Sequence, residues 1–263
     1  MHSVFEHTVS RLQELKLITN ADDLGASPAV NAAIFGLMDE GLVTSATILA
    51  NAPAMEDACR ESARYNGRSF GVHLNLTEYK PLTNEPRLGK LMAQGRGDGP
   101  ARDAKTLRPL RQPIFQEWCA QVERIQSLGI AVSHIDSHHH IHTVPTLFPV
   151  LKAVQERFNI RKVRLSKNIY TLQERPCTLF RLKKTLFNSA LRLWHSTATT
   201  DAFTDLAGFQ ENRGLIEKLG WAVEIMLHPG GLGSESESEQ LRDLALGDSC
   251  FKPSLVSYDA LKS

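Results

Sequence analysis

Between Ser133 and His142 the chain reads Ser-His-Ile-Asp-Ser-His-His-His-Ile-His, five histidines and one aspartate in ten residues. Imidazole nitrogens and carboxylate oxygens hold divalent cations, and Asp136 can accept the second ring N–H of a metal-bound histidine, fixing its tautomer and raising its basicity. Read as a strand and its exit loop, the period of two places His134, Asp136, His138 and His140 on one side. His138, nearest the strand's carboxyl end, is the first choice as ligand. The competing reading is a histidine-rich exposed loop, which sits poorly with the Pro145-led helix that follows at once.

Three other places carry matching chemistry. Asp22 and Asp23 adjoin on a segment that turns at Gly25, so one acid can take a metal while the other stays free as a base. The same pair would also suit a helix-capping loop. His73 alternates with Asn75 and Thr77 along one face of Phe70 to Thr77, although a lone strand histidine more often serves as core. His228 ends the apolar run Ile225-Met226-Leu227, just before Pro229-Gly230-Gly231 turns the chain away. Two aspartates, ligand histidines and a separate histidine form a set suited to metal-assisted hydrolysis. A Ser-His-Asp nucleophile is disfavoured, because no G-x-S-x-G elbow occurs. The four cysteines, Cys59, Cys119, Cys177 and Cys250, form no C-x-x-C pair. A disulfide framework or thiolate zinc site is therefore not expected, and reduced thiols in the cytoplasm are the default.

Positioning these residues requires strands that end where they lie. Leu15 to Ala21 is a short strand run, followed by Ser27 and Pro28 as N-cap and first helical residue and by Val30, Ile34, Leu37 and Met38 at helical spacing, with Gly41 as the stop. The unit repeats. Strands are expected at 44–51, 69–77, 130–138, 160–166, 202–204 and 221–227, and helices at 53–65, 113–128, 145–158, 176–194 and 210–219, with a weak helical signal at 239–246. Alternation of this kind means β/α units and a mostly parallel sheet. The length and about seven units favour an α/β fold built as one distorted (β/α) barrel over an open doubly wound sheet. No nucleotide-binding glycine fingerprint follows any strand. Residues 78–112, rich in Pro and Gly, break the rhythm and read as a long loop insertion, a lid or a disordered segment, within a single domain over 1–263. Asp22/Asp23, His73, His138 and His228 each fall on or just after an expected strand, where barrel enzymes keep their active sites.

Composition narrows the partners. Thirty Lys+Arg against 29 Asp+Glu give a formal charge of +1, which argues against coating nucleic acid. No apolar run resembles a signal peptide or reaches the length of a bilayer span, so a cytoplasmic location is the reading. The charge is uneven, however. Arg157 to Trp194 holds ten basic residues and one acid, Glu174, for a local net of 10 − 1 = +9. Its second half reads as a basic amphipathic helix, either an ordinary outer barrel helix or a face for an anionic substrate or acidic membrane surface.

NADDLG at 20–25, GVHLNLT at 71–77, HIDSHHHIH at 134–142 and LHPGG at 227–231 together resemble the YdjC-like carbohydrate deacetylases, which include chitooligosaccharide deacetylases and a hopanoid-associated branch. The resemblance runs from about Leu15 to Gly231. It implies a distorted (β/α) barrel, one divalent metal ion on Asp23, His73 and His138, Asp22 as base, His228 as acid, Arg164 as a group orienting Asp22, and a homodimer. It further implies removal of an N-acetyl group from a sugar, to which the basic segment 157–194 adds an anionic or lipid-linked carrier as an option. Two imidazoles and a carboxylate suit zinc, while an oxygen-rich remainder admits magnesium or manganese. Leu24 stands where the family commonly has Phe. A metal-dependent phosphoesterase and a non-catalytic binding or membrane-surface protein are the alternative readings.

Overall fold

A computed structural model describes residues 15–94, 102–174, 176–219, 222–231, 235–246 and 253–262. At its centre lies β1 (Lys16–Leu24), flanked in parallel by β2 (Ser45–Ile48) and β6 (Ala222–Leu227). The sheet continues through β3 (Ser69–Leu74) to β4 (Ile135–Ser137) on one side and to β5 (Ala202–Asp205) on the other, with β7 (Ser254–Leu255) added to β1. All pairings are parallel, so helices must carry the chain back and cover the sheet. Eight of the nine β1 residues are largely withdrawn from water, as a central parallel strand requires.

The helices are α1 (Pro28–Asp39), α2 (Met55–Ser62), α3 (Pro86–Ala93), α4 (Ala104–Leu107), α5 (Arg111–Ser127), α6 (Phe148–Phe158), α7 (Thr178–Leu193), α8 (Leu206–Leu219) and α9 (Glu235–Leu246). Ser27 caps α1 by accepting the Val30 N–H at 3.2 Å, and Pro28 supplies a first residue that needs no donor. The inward face then buries Val30, Ile34, Leu37 and Met38, the positions whose spacing marked the helix in sequence.

Two expectations change. The segment 160–166 forms no regular strand; it runs extended between β4 and residue 198, tied by single bridges from Ile135 to Val163 and from Lys162 to Ala198. Backbone bonds from Ile135 N to Lys162 O and from Arg164 N to Ile135 O, each 3.0 Å, hold it in a strand's place. The sheet is thus a curled half-barrel whose open side is closed by irregular chain, and the expectation of a strand at 160–166 fails because its ladder never becomes continuous. Likewise β4 covers three residues rather than nine, since the chain after Ser137 winds into a short turn with His139 and His140 at φ 51° and 54°. Within 78–112, where the sequence reads as loop, α3 buries Leu88, Leu91 and Met92. Residues 95–101 of that stretch lie outside the described residues.

The face of α5 turned to β3 carries polar residues with structural work. Glu117, fully buried, accepts from Leu82 N, Thr83 N and Thr83 Oγ1 at 2.7–3.0 Å. One turn on, Gln121 bonds both backbone groups of Asn75 at 2.9 Å. Together they fix the loop that leaves β3 beneath the barrel mouth. Elsewhere Lys152, 2% exposed, donates from Nζ to Gln155 Oε1, Leu191 O, Trp194 O and Thr197 Oγ1 at 2.8–3.0 Å. It anchors the carboxyl end of α7 by satisfying carbonyls that the helix itself leaves open. Lys152→Met should therefore strand the buried Leu191 carbonyl, while Trp194 O keeps the Thr197 hydroxyl, and lower stability by about 1–3 kcal/mol. Urea denaturation and amide exchange around 191–197 check this, the exchange rising there first.

Candidate active site

One guanidinium organises the barrel interior. Arg164, with no exposed surface, donates from Nη1 and Nη2 to the two oxygens of Asp22, both at 2.6 Å. The same Nη1 lies 2.9 Å from Asp136 Oδ2, and Nε donates to Glu224 Oε1 at 2.7 Å. Its planar fork matches carboxylates in a way that a lysine would not, and its carbon sits 4.8 Å from the centre of the Phe203 ring. One positive charge faces three buried carboxylates. Burial alone would push the Asp22 carboxyl up, but Arg164, then His73, more than reverse this and hold it well below the usual range. Glu224 goes the other way: burial pushes it up to about 7 despite Arg164 and the Tyr258 hydroxyl that donates to its second oxygen.

Adjacent Asp22 and Asp23 diverge because β1 is irregular there. Its register with β2 shifts between Ala21 and Leu24, and Asp23 takes φ 63°, a left-handed conformation that aspartate tolerates better than most residues. Asp22 is consequently sealed in the interior while Asp23 turns to the mouth. Asp23 Oδ1 lies 3.2 Å from His73 Nε2 and 2.8 Å from His138 Nδ1. Neither approach is aligned as a hydrogen bond, so this buried oxygen has no hydrogen-bond partner, and neither has His138 Nε2. A buried carboxylate oxygen facing two imidazoles without a bond is the arrangement a cation completes. One donor atom from each of Asp23, His73 and His138 lies within 4.8 Å of the others. The residues fit a divalent metal.

The far side of His73 is equally defined. His73 and Asp136 are register partners on β3 and β4, and the imidazole Nδ1 stands 2.7 Å from Asp136 Oδ1. The Thr47 hydroxyl donates to Asp136 Oδ2 at 2.9 Å and lies 3.0 Å from His73 Nδ1. Asp136 thus plays the histidine-orienting role foreseen for it, but toward His73 across the sheet. Burial opposes charge on His73, yet Asp136 and Asp22 raise its pKa to about 10. The same negative field favours a cation at Nε2.

The structure divides the histidine cluster. His138 reaches the site. His134 is buried, stacked on Tyr258 with ring centres 3.6 Å apart, and its Nε2 lies 3.2 Å from Asn20 Oδ1. Gly71 permits that packing, since a side chain there would meet the His134 ring at 2.7 Å. His139 contacts the Thr77 hydroxyl at 2.9 Å, His140 packs edge-on against Phe203, and His142 lies between Ser137 Oγ and Arg164 O. Alternation along a strand fails after Ser137 because no strand continues. His228, at the end of β6, places Nε2 3.9 Å from Asp22 Oδ2 with 40% of its side chain exposed. Its backbone N–H donates to Glu237 on α9 at 2.5 Å, which fixes the β6 exit.

Several contributors escaped the sequence reading. Glu78, whose carboxylate is 3.5 Å from His138 Nε2, Thr47, Glu224 and Tyr258 all border the site or its supports. Glu78 lay in the stretch read as loop, and Tyr258 comes from the tail. The only available signal was Glu224, an acid inside an otherwise apolar strand. Asp23→Ala, His73→Ala and His138→Ala should each lower zinc stoichiometry by elemental analysis, with circular dichroism unchanged. Arg164→Met leaves three buried carboxylates without their cation and should cost about 3–5 kcal/mol in denaturant unfolding.

A carbohydrate deacetylase of Geobacillus stearothermophilus is 41% identical over 152 residues, 57% of this chain and 60% of that protein. One from Vibrio campbellii is 37% identical over 149 residues, covering 56% and 57%. The matched regions thus span somewhat over half the length of these relatives. A crystal structure of a proposed cellobiose-phosphate cleavage protein from Enterococcus faecalis V583 superposes with a TM-score of 0.70 over 94% of this chain and 98% of that one. At 22% identity it attests the shared fold. The family model described as YdjC-like protein matches residues 16–260, nearly all of the described barrel, and the chain belongs to that family.

Proposed function

We propose that this protein is a metal-dependent carbohydrate N-deacetylase, hydrolysing the acetamide of an N-acetylated sugar to acetate and an amino sugar. The observation that carries the reading is the split between neighbouring carboxylates: Asp23 faces two imidazoles as a ligand would, while Asp22 is held ionised by Arg164 and points toward His228. The names of the relatives support the choice of carbohydrate amide as substrate. A divalent cation on Asp23, His73 and His138 would supply a Lewis acid for the acetyl carbonyl, and two imidazoles with one carboxylate favour zinc.

The chain's own groups then divide the proton transfers. Asp22 is a permanent carboxylate near neutral pH and accepts the proton of the attacking water. Its two bonds to Arg164 keep the carboxylate from rotating and keep it ionised until the water's proton arrives. The water's oxygen bonds to the acetyl carbon, and the C–N bond breaks only when nitrogen gains a proton. His228, partly exposed and with Nε2 3.9 Å from Asp22 Oδ2, gives that proton in this reading. Asp136 and Thr47 hold His73 in one orientation while charge develops. A phosphoesterase would call for a second metal with its own carboxylates, whereas Asp22, Asp136 and Glu224 are committed to Arg164 and Glu78 meets a cation only together with His139 and the His138 assigned to the first.

Asp22→Asn should retain the metal and lose about 10²–10⁴-fold in acetate release, measured with a panel of free, nucleotide-linked and lipid-linked N-acetyl sugars. Removing metal with a chelator should abolish release and added zinc restore it. Phosphate release from sugar phosphates with no acetate from any N-acetyl sugar would contradict the assignment.

A further inference from the structure

Tyr79 holds a backbone conformation that its side chain disfavours. Its φ is 61°, in the left-handed region that suits glycine or asparagine and in which a bulky side chain is an outlier. Asn159 shows the ordinary use of this region, closing α6. Tyr79 closes no helix; it sits in the loop that leads from β3 to α3. Its neighbours hold it there. Asn75 Oδ1 accepts Thr77 N at 2.9 Å and Glu78 N at 3.1 Å, and Asn75 Nδ2 donates to Glu78 O at 2.8 Å. On the far side Asn51 Nδ2 donates to Lys80 O at 3.0 Å, and Glu117 accepts from Leu82 N and Thr83 N. Side chains from three separate parts of the chain thus fix the backbone before and after residue 79. A strained residue that its surroundings over-determine in this way is characteristic of binding and active sites.

The ring is displayed at the mouth. Tyr79 is 38% exposed and directly follows Glu78, whose carboxylate stands 3.5 Å from His138 Nε2. Burial, then the Glu78 and Asp23 carboxylates, push its hydroxyl pKa up, so the phenol lies within the field of a metal-binding residue and keeps its proton. The rim beside it, made by Glu78, His138 and His139, offers ionic and hydrogen-bonding groups. A pyranose presents two kinds of surface, hydroxyls round its edge and apolar C–H groups on its faces. Binding one therefore takes an aromatic face as well as polar groups. Tyrosine supplies that face at the wet edge of a site, with few torsions to freeze.

We infer that Tyr79 is the sugar platform of this site, its ring stacking on the C–H face of the pyranose that carries the acetamide. The inference rests on the deacetylase reading above and adds the basis of selection: the protein recognises a sugar ring and not an acetamide alone. It also explains why the loop keeps a residue that glycine or asparagine would replace without strain. Tyr79 binds; the proton transfers stay with Asp22 and His228.

The test separates ring, hydroxyl and backbone. With N-acetylglucosamine and its β-1,4-linked dimer as substrates, Tyr79→Asn should raise KM about tenfold with kcat within about twofold, since asparagine accepts the left-handed backbone but brings no ring. Tyr79→Phe should keep the wild-type KM. In urea, Tyr79→Asn should unfold at a midpoint equal to or above that of the wild type, because strain is relieved and no packing is lost. Calorimetric titration of the zinc-loaded protein with the glucosamine dimer, the expected product, reads the platform without turnover, and Tyr79→Asn should weaken it about tenfold. Wild-type affinity for the dimer in Tyr79→Asn, an equal loss in Tyr79→Phe, a lowered urea midpoint in Tyr79→Asn, or a fall in kcat at unchanged KM would overturn the proposal. Dimer binding that depends on Tyr79, with no acetate released from any N-acetyl sugar, would keep the platform and overturn the deacetylase reading instead. A wild type that neither binds nor deacetylates any sugar of the panel would overturn both.

Discussion

A charged arginine sealed inside the barrel sets the terms for everything around it. Withdrawing a guanidinium from water is expensive, and only close, well-aligned carboxylates offset the cost. Arg164 finds three, one each from β1, β4 and β6, so it joins strands that are not all neighbours in the sheet. The negative excess left over is what makes the mouth hospitable to a cation. Binding chemistry and core architecture are therefore one electrostatic arrangement, and a change to Arg164 cannot touch one without the other.

From Arg164 the polar interior extends both ways. Toward the mouth, Asp136 passes its influence to His73 and the cation site. Toward the base, Glu224 receives the Tyr258 hydroxyl, and the Tyr258 ring stacks on His134, whose Nε2 reaches Asn20. Asn20 in turn donates to Asp22 Oδ1 at 3.0 Å. Asp22 is thus steadied from two sides, by a direct ion pair and by an amide backed by stacked rings. Such a network holds the Asp22 carboxylate in one orientation, as the proposed proton transfer would require.

Much of this was legible in the residues. The helical spacing after Ser27, the strand that delivers His73 and the apolar run ending at His228 all follow from local periodicity, which the fold respects because each element buries its apolar face. Four separate motifs converged because parallel strands end at the same rim. Arg164 was recognised through resemblance, since an arginine in a short extended segment announces nothing by itself. What stayed hidden depends on contacts distant in sequence. The left-handed turn at Asp23, the handover of Asp136 to His73, and the end of strand geometry at Ser137 are set by packing between elements. The period of two placed His134 and His140 beside His138, yet His134 is held in the core by Tyr258, 124 residues later (258 − 134). The helix α3 was masked by the prolines and glycines around it.

The central claim is that adjacent aspartates have separate tasks, Asp23 holding the cation and Asp22 standing free of it. Zinc-edge anomalous diffraction from crystals of the zinc-loaded protein tests this most directly. The account predicts one peak at about 2.0–2.2 Å from Asp23 and from the imidazoles of His73 and His138, with Asp22 still paired to Arg164. A peak coordinated by Asp22, or one seated on Glu78 and His139 away from Asp23, would contradict it.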